Sequence, residues 1–290
     1  MSAFPRYKTI HELYAYSGYN QESKSISFDI LHFSDLGPYT KKVVPPHRRD
    51  FFTVIFFENQ QEGKIQLNVE LHRGLENVLL FQGPDHVFSF TRDEEVSGFI
   101  ILFDKAFLAE YYPVLDNNFP FFSIYHQNLY HLNDNESDSF THIIRSLFLE
   151  RKSPKVSKPL LVAFLQKSLV LFSQYMKEEK FLSPKSLLIR RFKQLIGNHY
   201  AFSKNVEYYA ELLAVSPAYL NEASKGETGR TPKQLILERI LLEAENMLIH
   251  TELDVAQISH MLNFTEPTHF VRFFKKEKGL TPKVYRTSML

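Results

Sequence analysis

The sequence predicts an α+β protein in two parts, a sheet-rich N-terminal part followed by an all-α C-terminal part. Short β-branched and aromatic runs recur between residues 25 and 103, with no helical pattern between them. From residue 186 onward the apolar residues recur at three- and four-residue spacing, and one pattern of two short helices occurs twice. We therefore expect a small barrel or jelly roll, then two helical units joined by a long helix.

Length and composition limit the class of protein. A chain of 290 residues suggests about two domains, and 27 Phe and 15 Tyr are ample for their cores. The absence of Cys excludes disulfides and thiolate metal sites. The opening MSAFPRYK lacks the apolar core of a signal peptide. No apolar run approaches the ~20 residues of a membrane helix. We therefore expect a soluble, cytoplasmic protein with no membrane partner.

The net charge of +1 conceals a difference between the two parts. Residues 185–290 carry 15 Lys and Arg against 11 Asp and Glu, while the rest of the chain carries 19 against 22. The C-terminal part is therefore net positive and the N-terminal part net negative. This asymmetry favours a nucleic-acid partner for the C-terminal part.

Six runs make up the predicted sheet region, and Gly, Pro, Asn or Asp residues interrupt them. They are SISFDILHF (25–33), RDFFTVIFFEN (49–59), KIQLNVELH (64–72), NVLLFQ (77–82), HVFSFT (86–91) and SGFIILF (97–103). The residues before them, 1–25, show no clear period. After them the pattern becomes helical, within SDSFTHIIRSLFLERK (137–152) and from Pro159 to Lys180.

FLSPK, residues 181–185, is the predicted linker. We therefore expect one domain over residues 1–182 and another over residues 183–290. The second domain opens with a helix from Ser186 to Tyr200, which is rich in Leu and Ile and carries three basic residues.

The stretch from Asp254 to Arg286 predicts two short helices around a tight turn. Asp254 is the expected N-cap of the first helix, and Asn263 follows that helix as a residue that tolerates the left-handed conformation. Thr265 is the expected cap of the second helix, with Pro267 near its start. The apolar positions of the first helix are Val255, Ile258, Met261 and Leu262.

The second of these helices has two distinct faces. Phe270, Phe273 and Phe274 are predicted to point into the core. The polar and basic residues of the other face are Thr268, His269, Arg272, Lys275 and Lys276. Gly279 ends this helix, and Thr281-Pro282 begins another short one. Two short helices around a turn, the second basic on its open face, describe a helix-turn-helix.

A second copy of the pattern lies upstream, from Asn205 to Pro232. K-G-E-T-G-R-T-P there aligns with K-K-E-K-G-L-T-P downstream, which gives an offset of 50 residues from Gly229 to Gly279. Ser216 caps the second helix of this copy, and Pro217 opens it. One amphipathic helix, from Pro232 to Leu248, connects the copies. Such a pair could enter major-groove segments about 34 Å apart on one face of DNA.

Residues from about 186 to 290 resemble the AraC/XylS-type bacterial transcription regulators, whose DNA-binding domain has two helix-turn-helix units joined by a long helix. The matching motifs lie at Ala210–Leu220, Lys225–Pro232 and Ile258–Arg286. Asn263 departs from this pattern, since the family usually has Gly there. Ser224 also departs, since it stands where the family usually has an aromatic core residue. The first unit is therefore expected to pack less tightly and read DNA more weakly.

The resemblance also implies which residues contact DNA. The base-reading positions are Ala218, Asn221 and Glu222 in the first unit and Pro267, Thr268, His269 and Arg272 in the second. Arg272 suits a bidentate contact to guanine, Asn221 suits adenine, and Glu222 suits the cytosine amino group. Lys225, Lys275 and Lys276 are expected at phosphates.

The sheet-rich part resembles the cupin-type sensor domain found in many members of this family. The motifs are PHRRDF (46–51), GPDHVFSF (83–90) and GFIILFDKAFL (98–108). A cupin metal enzyme is disfavoured: Arg48 and Arg49 follow His47, and Phe88 stands where a second ligand histidine would be. The convergent N, O or S ligands of zinc or iron are not visible, so we expect neither a metal nor another cofactor.

Strand alternation would place His47, Arg49, Phe51 and Thr53 on one face. If that face lines the barrel mouth, Arg49 suits an anionic or polyhydroxylated effector, with Phe51 as an apolar wall and His47 beside it. The alternative is that Arg48 and Arg49 are solvated at a strand start and His47 is a satisfied edge residue.

The expected function is a sequence-specific transcriptional regulator controlled by a small-molecule effector, not an enzyme. Its partners would be double-stranded promoter or operator DNA, the effector, and RNA polymerase if it activates. The resemblance implies a homodimer through the helices of residues 137–180, although burial against the barrel explains their apolar pattern equally well. The alternative function is a small-molecule-binding cupin protein or enzyme with a weak or vestigial DNA-binding domain.

Overall fold

The computed structural model describes residues 3–19, 26–37, 40–112, 115–175 and 183–289. The chain divides into two compact units, residues 2–178 and residues 179–290. Among the described residues the first unit holds all the strands, and the second is built of helices alone. The α+β class and the order of its two parts are confirmed. Phe181 and Leu182 of the predicted linker lie outside the described residues.

The strands of the first unit form two five-stranded sheets. They are β1 (Arg6–Tyr7), β2 (Phe28–His32), β3 (Val43–Arg49), β4 (Phe52–Gln60), β5 (Lys64–Leu67), β6 (Glu70–His72), β7 (Leu75–Gln82), β8 (Phe88–Thr91), β9 (Ser97–Phe103) and β10 (Leu129–His131). One sheet has the order β1-β3-β8-β5-β6 and the other β10-β7-β4-β9-β2. Within the described chain the sheets do not close into one barrel, so the two-layer jelly roll describes them better.

The core of this unit lies between the two sheets. Ile55, Phe57 and Leu80 of the second sheet share one buried cluster with Ile65 and Phe88 of the first. Side chains of this size stabilise a fold by roughly 1.5–3 kcal/mol each when fully buried. The apolar residues whose alternation predicted the strands therefore point into the space between the two sheets.

Each of the six predicted runs contains a strand. KIQLNVELH contains two, β5 and β6, which pair as a hairpin. Asn68 makes their turn with φ 55°, a left-handed conformation that Asn tolerates. Strand β3 was predicted only in part. The alternation from His47 to Thr53 includes its end, but the structure ends β3 at Arg49 and begins β4 at Phe52. Residues 43–46, which include Pro45 and Pro46, were not predicted as a strand. The register of β3 against β8 shifts between Val44 and His47, and this irregularity accommodates the two prolines.

In the described part of this unit, four α-helices accompany the sheets: α1 (Ile10–Ser17), α2 (Leu115–Asn118), α3 (Asp134–Leu149) and α4 (Pro154–Tyr175). The two predicted helices correspond to α3 and α4, and each begins earlier than expected. The start of α3 is fixed by a capping box between Asn133 and Glu136. Helix α1 was not predicted, although Thr9 accepts a hydrogen bond from the Glu12 amide and Gly18 ends the helix at φ 79°.

Helix α4 is more apolar than the sequence analysis expected. Within the described residues, Pro154–Gln174 is long and apolar enough to cross a membrane by length and composition alone, with a mean hydropathy of 1.3. In this structure, however, Leu161, Phe164 and Phe172 are buried in the unit. The Phe164 ring centroid lies 5.7 Å from that of Phe140 on α3. Helix α4 therefore packs here as a core helix.

The second unit contains seven helices among its described residues. They are α5 (Pro184–His199), α6 (Val206–Leu212), α7 (Pro217–Thr228), α8 (Pro232–His250), α9 (Val255–Met261), α10 (Pro267–Lys278) and α11 (Pro282–Met289). The predicted helices of this part are all confirmed, with ends that move by one to a few residues.

The helix ends follow the predicted signals with one exception. Ser216 and Asp254 cap α7 and α9 through hydrogen bonds to backbone amides. Gly229 and Gly279 end α7 and α10 in the left-handed conformation. The prediction that Thr265 caps α10 is wrong. Pro267 is the first residue of α10, so Glu266 occupies the N-cap position, and it makes no side-chain capping bond.

Helix α8 is the centre of this unit and carries charged residues that the apolar pattern did not predict. Arg239 and Glu243 are each 1% exposed and lie 3.0 Å apart. The Arg239 guanidinium also lies 4.4 Å from the ring centroid of Tyr200. Nearer the end of α8, the Tyr285 hydroxyl donates to Glu245 at 2.6 Å. Hydrogen-bonded charges thus join α8 to its neighbours inside the unit.

Candidate nucleic-acid interface and effector cavity

The second unit contains two helix-turn-helix pairs, α6–α7 and α9–α10, on either side of α8. The first helices of the two pairs are offset by 49 residues, from Val206 to Val255. The second helices are offset by 50, from Pro217 to Pro267. The predicted offset of 50 therefore holds for the second helices, and the turn of the second pair is one residue longer.

Both turns begin with a left-handed residue that is not glycine. Ala214 has φ 55° and Asn263 has φ 54°. The predicted role of Asn263 at the end of α9 is confirmed. Its side chain also donates to the Phe202 carbonyl at 2.9 Å. An Asn that adopts this conformation and bonds locally replaces the Gly of the family pattern.

The predicted reading residues of α7 share one face at i, i+3, i+4 and i+7 spacing. Ala218, Glu222 and Lys225 are exposed, and Asn221 is partly buried. Glu222 has an ion-pair partner within the unit, since its carboxylate lies 2.7 Å from the Lys185 ammonium of α5. The hydrogen bond from Lys185 holds the pKa of Glu222 below its usual value. A contact from Glu222 to a cytosine amino group would therefore compete with Lys185.

The corresponding face of α10 is more open and more basic. The predicted residues Thr268, His269, Arg272, Lys275 and Lys276 are all exposed, and Pro267 is partly buried. Opposite them, Phe270 and Phe274 are fully buried and Phe273 packs against Phe264. The aromatic face holds α10 to the unit and leaves the polar face free for a partner.

The two helix-turn-helix pairs use different core residues at the position where Ser224 departs from the family pattern. Ser224 is fully buried at the position of Phe274, and its hydroxyl donates to the Arg230 carbonyl at 2.7 Å. The aromatic side chains in the core of the first helix-turn-helix pair are Phe192 of α5 and Tyr209 of α6, whose ring centroids lie 5.5 Å apart. Helix α5 therefore completes the core of this pair. Weaker reading of DNA by this pair stays a prediction.

Lys204, which the sequence analysis did not single out, links the two helix-turn-helix pairs. It precedes α6, and its ammonium donates to the Asn263 carbonyl at 2.6 Å and lies 3.4 Å from the Phe264 ring centroid. Burial, with a smaller contribution from Lys233, lowers the pKa of Lys204 to about 8. The loop before the first pair is thus bonded to the turn of the second.

In the N-terminal unit the structure brings His47, Arg49, Phe51 and Thr53 together. Arg49 Nε donates to His47 Nε2 at 3.0 Å, and a terminal nitrogen donates to Thr53 Oγ1 at 2.7 Å. The guanidinium carbon lies 5.9 Å from the Phe51 ring centroid. The alternative of solvated arginines is wrong, because Arg48 and Arg49 are each 5% exposed. His47 is fully buried rather than at an edge.

A cavity of about 80 Å³ lies beside Arg49, between the two sheets and α1. Arg49 lines it, while His47 and Phe51 are not among the lining residues. The other polar residues of the described lining were not predicted; they are Tyr14, Ser17, Tyr19, Thr40, Lys41 and Arg92. No motif marks them, because sheet pairing and the packing of α1 bring them together from distant parts of the chain. Effector binding by His47, Arg49 and Phe51 stays a prediction.

The described residues contain no group of three or more His, Asp or Glu side chains placed to hold a metal ion. His47 illustrates the local reason. Its Nδ1 lies 2.8 Å from the Pro45 carbonyl oxygen and its Nε2 accepts from Arg49, so both ring nitrogens are occupied. Burial, and next the Arg49 charge, lower the pKa of His47 to about 3. His47 is therefore a neutral acceptor.

Helices α7 and α10 are each the second helix of a pair, and both are exposed on one helical core. This arrangement defines residues 179–290 as a double helix-turn-helix domain. Residues 209–288 match the family model described as a helix-turn-helix domain. This part of the chain is an AraC-type helix-turn-helix domain. The resemblance noted in the sequence is confirmed for this unit.

The individual relatives match the same part of the chain. Over 94 residues the chain is 30% identical to the uncharacterized HTH-type transcriptional regulator YobQ of Bacillus subtilis (strain 168), covering 32% of this chain and 39% of YobQ. It is 29% identical over 91 residues to the HTH-type transcriptional activator RhaS of Escherichia coli (strain SE11), covering 31% and 33%. The C-terminal domain of AraT, a response regulator from Geobacillus stearothermophilus, is similar at 31% identity and a TM-score of 0.35, covering 37% of this chain and 88% of that one. The chain thus spans well under half the length of the curated relatives it matches.

Proposed function

We propose that this protein is a sequence-specific DNA-binding transcriptional regulator whose affinity for an operator is controlled by a small-molecule effector. The observation that carries the proposal is the exposed, basic face of α10, opposite a fully buried aromatic face. A helix held in this way can enter the major groove without unfolding any part of its core. YobQ and RhaS, which match this domain, are named as transcriptional regulators.

Reading of bases is assigned to the first two turns of α7 and α10. Arg272 is the proposed guanine contact, supported by its exposure and by its place one turn after Thr268 and His269. Asn221 is the proposed adenine contact. Ala218 and Pro267 would provide close apolar approach to base edges. Lys225, Lys275 and Lys276 are the proposed phosphate contacts, which add affinity without sequence information.

The N-terminal unit, proposed here as the cupin-like domain of residues 1–182, would bind the effector at Arg49 with support from His47 and Phe51. We also propose a homodimer through α3 and α4. Leu149 and Val170 are 77% and 62% exposed on these helices, and a subunit contact there would cover them. The protein would act in the cytoplasm, and would contact RNA polymerase if it activates transcription.

The proposal is tested by selecting bound sequences from a random DNA pool with the full-length protein near physiological salt. If both helix-turn-helix pairs read bases, two enriched sequence boxes are expected about one turn of the DNA helix, or 34 Å, apart. One enriched box would mean that α7 contacts only the backbone. Repeating the selection with residues 179–290 removes any need for an effector. If neither protein enriches a motif, the alternative of a small-molecule-binding protein with a vestigial DNA-binding domain is favoured.

Arg272→Ala is expected to relax the selected motif at one base pair, losing roughly 1–3 kcal/mol of discrimination there. Lys276→Ala is expected to weaken specific and random DNA by similar factors, since it removes a phosphate contact. Competition binding with the selected site and a scrambled site measures both effects. Lys64→Ala, an exposed substitution in the other unit, is the matched control. Equal losses on both DNAs for Arg272→Ala would remove its assigned role.

A further inference from the structure

The cavity of the N-terminal unit is cationic on one side and apolar on the other. Among its described lining residues, Lys41, Arg49 and Arg92 are cations and none is Asp or Glu. The remaining wall is mostly aliphatic and aromatic, and includes Leu31, Ile55 and Phe88. A site of this kind suits a ligand that carries both a negative charge and an apolar body.

Of these three cationic side chains, Arg49 is the least exposed to solvent, at 5%. Among the described residues its side chain donates to two neutral acceptors, the His47 ring and the Thr53 hydroxyl. Its guanidinium lies 4.9 Å from the Phe88 ring centroid, which adds a cation–π contact but no negative charge. A guanidinium has five N–H donors, so donors remain for a further acceptor.

The buried carboxylate of this region is directed elsewhere. Asp29 accepts a hydrogen bond from the Tyr14 hydroxyl at 2.9 Å and one from the Ile30 amide at 2.9 Å. Asp29 is not among the described cavity-lining residues, whereas its hydrogen-bond partner Tyr14 is. Burial lowers the pKa of Arg49 to about 9, which leaves it charged at neutral pH. Within the described part of the chain, Arg49 therefore holds a positive charge beside the cavity and donates to no carboxylate.

The size of the cavity limits the ligand. Its volume of about 80 Å³ is roughly half of the ~150 Å³ that suffices for benzene in an engineered protein cavity. Butyrate has as many non-hydrogen atoms as benzene, so butyrate, a longer chain or a sugar would not fit without rearrangement, whereas acetate would. Arg92 donates to the Thr40 carbonyl and Lys41 lies over the Tyr16 ring, so both are held near the lining by local contacts.

We propose that the effector is a short-chain organic monocarboxylate, whose carboxylate pairs with Arg49 and whose hydrocarbon part fills the space bounded by Leu31, Ile55 and Phe88. This assignment rests on the proposed function, since it names the chemical class of that effector. His47 acts as a positioning residue: it accepts from Arg49 Nε and so directs the remaining N–H groups of the guanidinium. Phe51 packs behind Arg49 and does not touch the ligand.

The test compares acetate with acetamide, which has nearly the same shape and no charge. Ligand-observed NMR on the full-length protein near neutral pH should show acetate binding at least tenfold tighter than acetamide. Butyrate, with a longer chain, should bind more weakly than acetate. Equal binding of acetate and acetamide, or no acetate binding at millimolar concentration, would overturn the proposal.

Two variants locate the site. Arg49→Gln should weaken acetate binding at least tenfold and leave acetamide binding unchanged. Since this substitution affects a buried residue, Leu36→Trp serves as a second variant, because Leu36 is partly exposed and also lines the cavity. It should abolish binding of both ligands by filling the space. Unchanged acetate binding in a folded form of either variant would overturn the assigned site.

The effector role is measured separately, with the DNA selected above. Acetate should change the affinity of the full-length protein for that DNA at least fivefold, and should not change the affinity of residues 179–290. If acetate binds but leaves DNA affinity unchanged, the assignment as effector fails while DNA binding stands. If no DNA sequence is selected, the proposed function fails, and NMR still decides whether the cavity binds a carboxylate.

Discussion

At the scale of single residues, the pairing of His47 with Arg49 is the most consequential contact of the N-terminal unit. The Pro45 carbonyl oxygen accepts from His47 Nδ1, which leaves the lone pair of Nε2 for Arg49. Protonation of His47 would place a second positive charge beside the guanidinium and remove its acceptor. The imidazole therefore has to stay neutral for Arg49 to keep its position.

This requirement predicts a loss of stability in mild acid. The pKa of His47 is lowered to about 3 in the folded protein, so the unfolded chain takes up the proton first as the pH falls below about 6.5. His47 alone should therefore lower the free energy of unfolding by about 2 kcal/mol between pH 7 and pH 5. Urea unfolding at both pH values measures it, and His47→Gln is the control that should remove this part of the difference. An equal pH effect in His47→Gln would contradict the assigned role.

The sequence predicted Arg49 as a ligand contact because strand alternation groups it with His47, Phe51 and Thr53. It did not predict that only Arg49 lines the cavity. Whether a side chain lines a cavity or packs behind it depends on the layer opposite, and α1 forms part of that layer without a strong periodic signal. In the helical unit the reading positions were easier to predict, because they follow directly from the spacing of the core residues Phe270 and Phe274.

At the scale of the elements, the turn of the first helix-turn-helix contains a strained residue. Ala214 has φ 55°, a conformation that costs an L-residue roughly 1–2 kcal/mol and glycine much less. Ala214→Gly is therefore expected to raise the free energy of unfolding by about 0.5–1 kcal/mol, after the greater flexibility of glycine in the unfolded chain is subtracted. Chemical denaturation of residues 179–290 measures the change.

Ala256→Gly is the matched control, because Ala256 is an exposed position inside α9. The same substitution there should lower stability by about 1 kcal/mol. The opposite signs at the two positions follow from the backbone conformation alone. A loss of stability at both positions would show that Ala214 is not strained.

Helix α8 depends on the charges that it buries. Glu243→Gln removes the carboxylate that pairs with the buried guanidinium of Arg239, and should cost about 3–5 kcal/mol. The double substitution Arg239→Met with Glu243→Leu removes both charges and should cost less than half as much. Thermal unfolding of residues 179–290 distinguishes these outcomes. A double variant less stable than Glu243→Gln would mean that the pair itself stabilises the helix.

The elements of the chain were predictable where local and tertiary requirements agree. In the two helix-turn-helix pairs, the Ser216 and Asp254 caps, the opening prolines of α7 and α10 and the glycines that end these helices were predicted, although the cap at Thr265 was wrong. The start of strand β3 was not predicted, because pairing with β8 and β1 overrides two prolines that locally oppose a strand. Hydrogen bonds to strands that are distant in sequence stabilise the strand conformation of β3. The residue pattern of this segment alone does not predict those bonds.

At the scale of the whole molecule, the charges of the two units differ in sign. Residues 185–290 have four more basic than acidic side chains, and the rest of the chain has three fewer. If DNA binding belongs to the second unit alone, residues 179–290 and the full chain should show the same slope of log affinity against log salt concentration. Lys276→Ala should reduce that slope by about one in both proteins. A steeper slope for the full chain would indicate phosphate contacts from the N-terminal unit.

The equal length of α7 and α10 has a consequence for protein engineering. Both helices have twelve residues, open with proline and end at a left-handed glycine. Their exposed positions are therefore equivalent one for one, from Ala218 and Thr268 to Lys225 and Lys275. A chimera that exchanges only these surface positions would leave each set of core residues in its own surroundings. DNA specificity should then transfer between the two sites as a module, with the order of the two half-sites reversed.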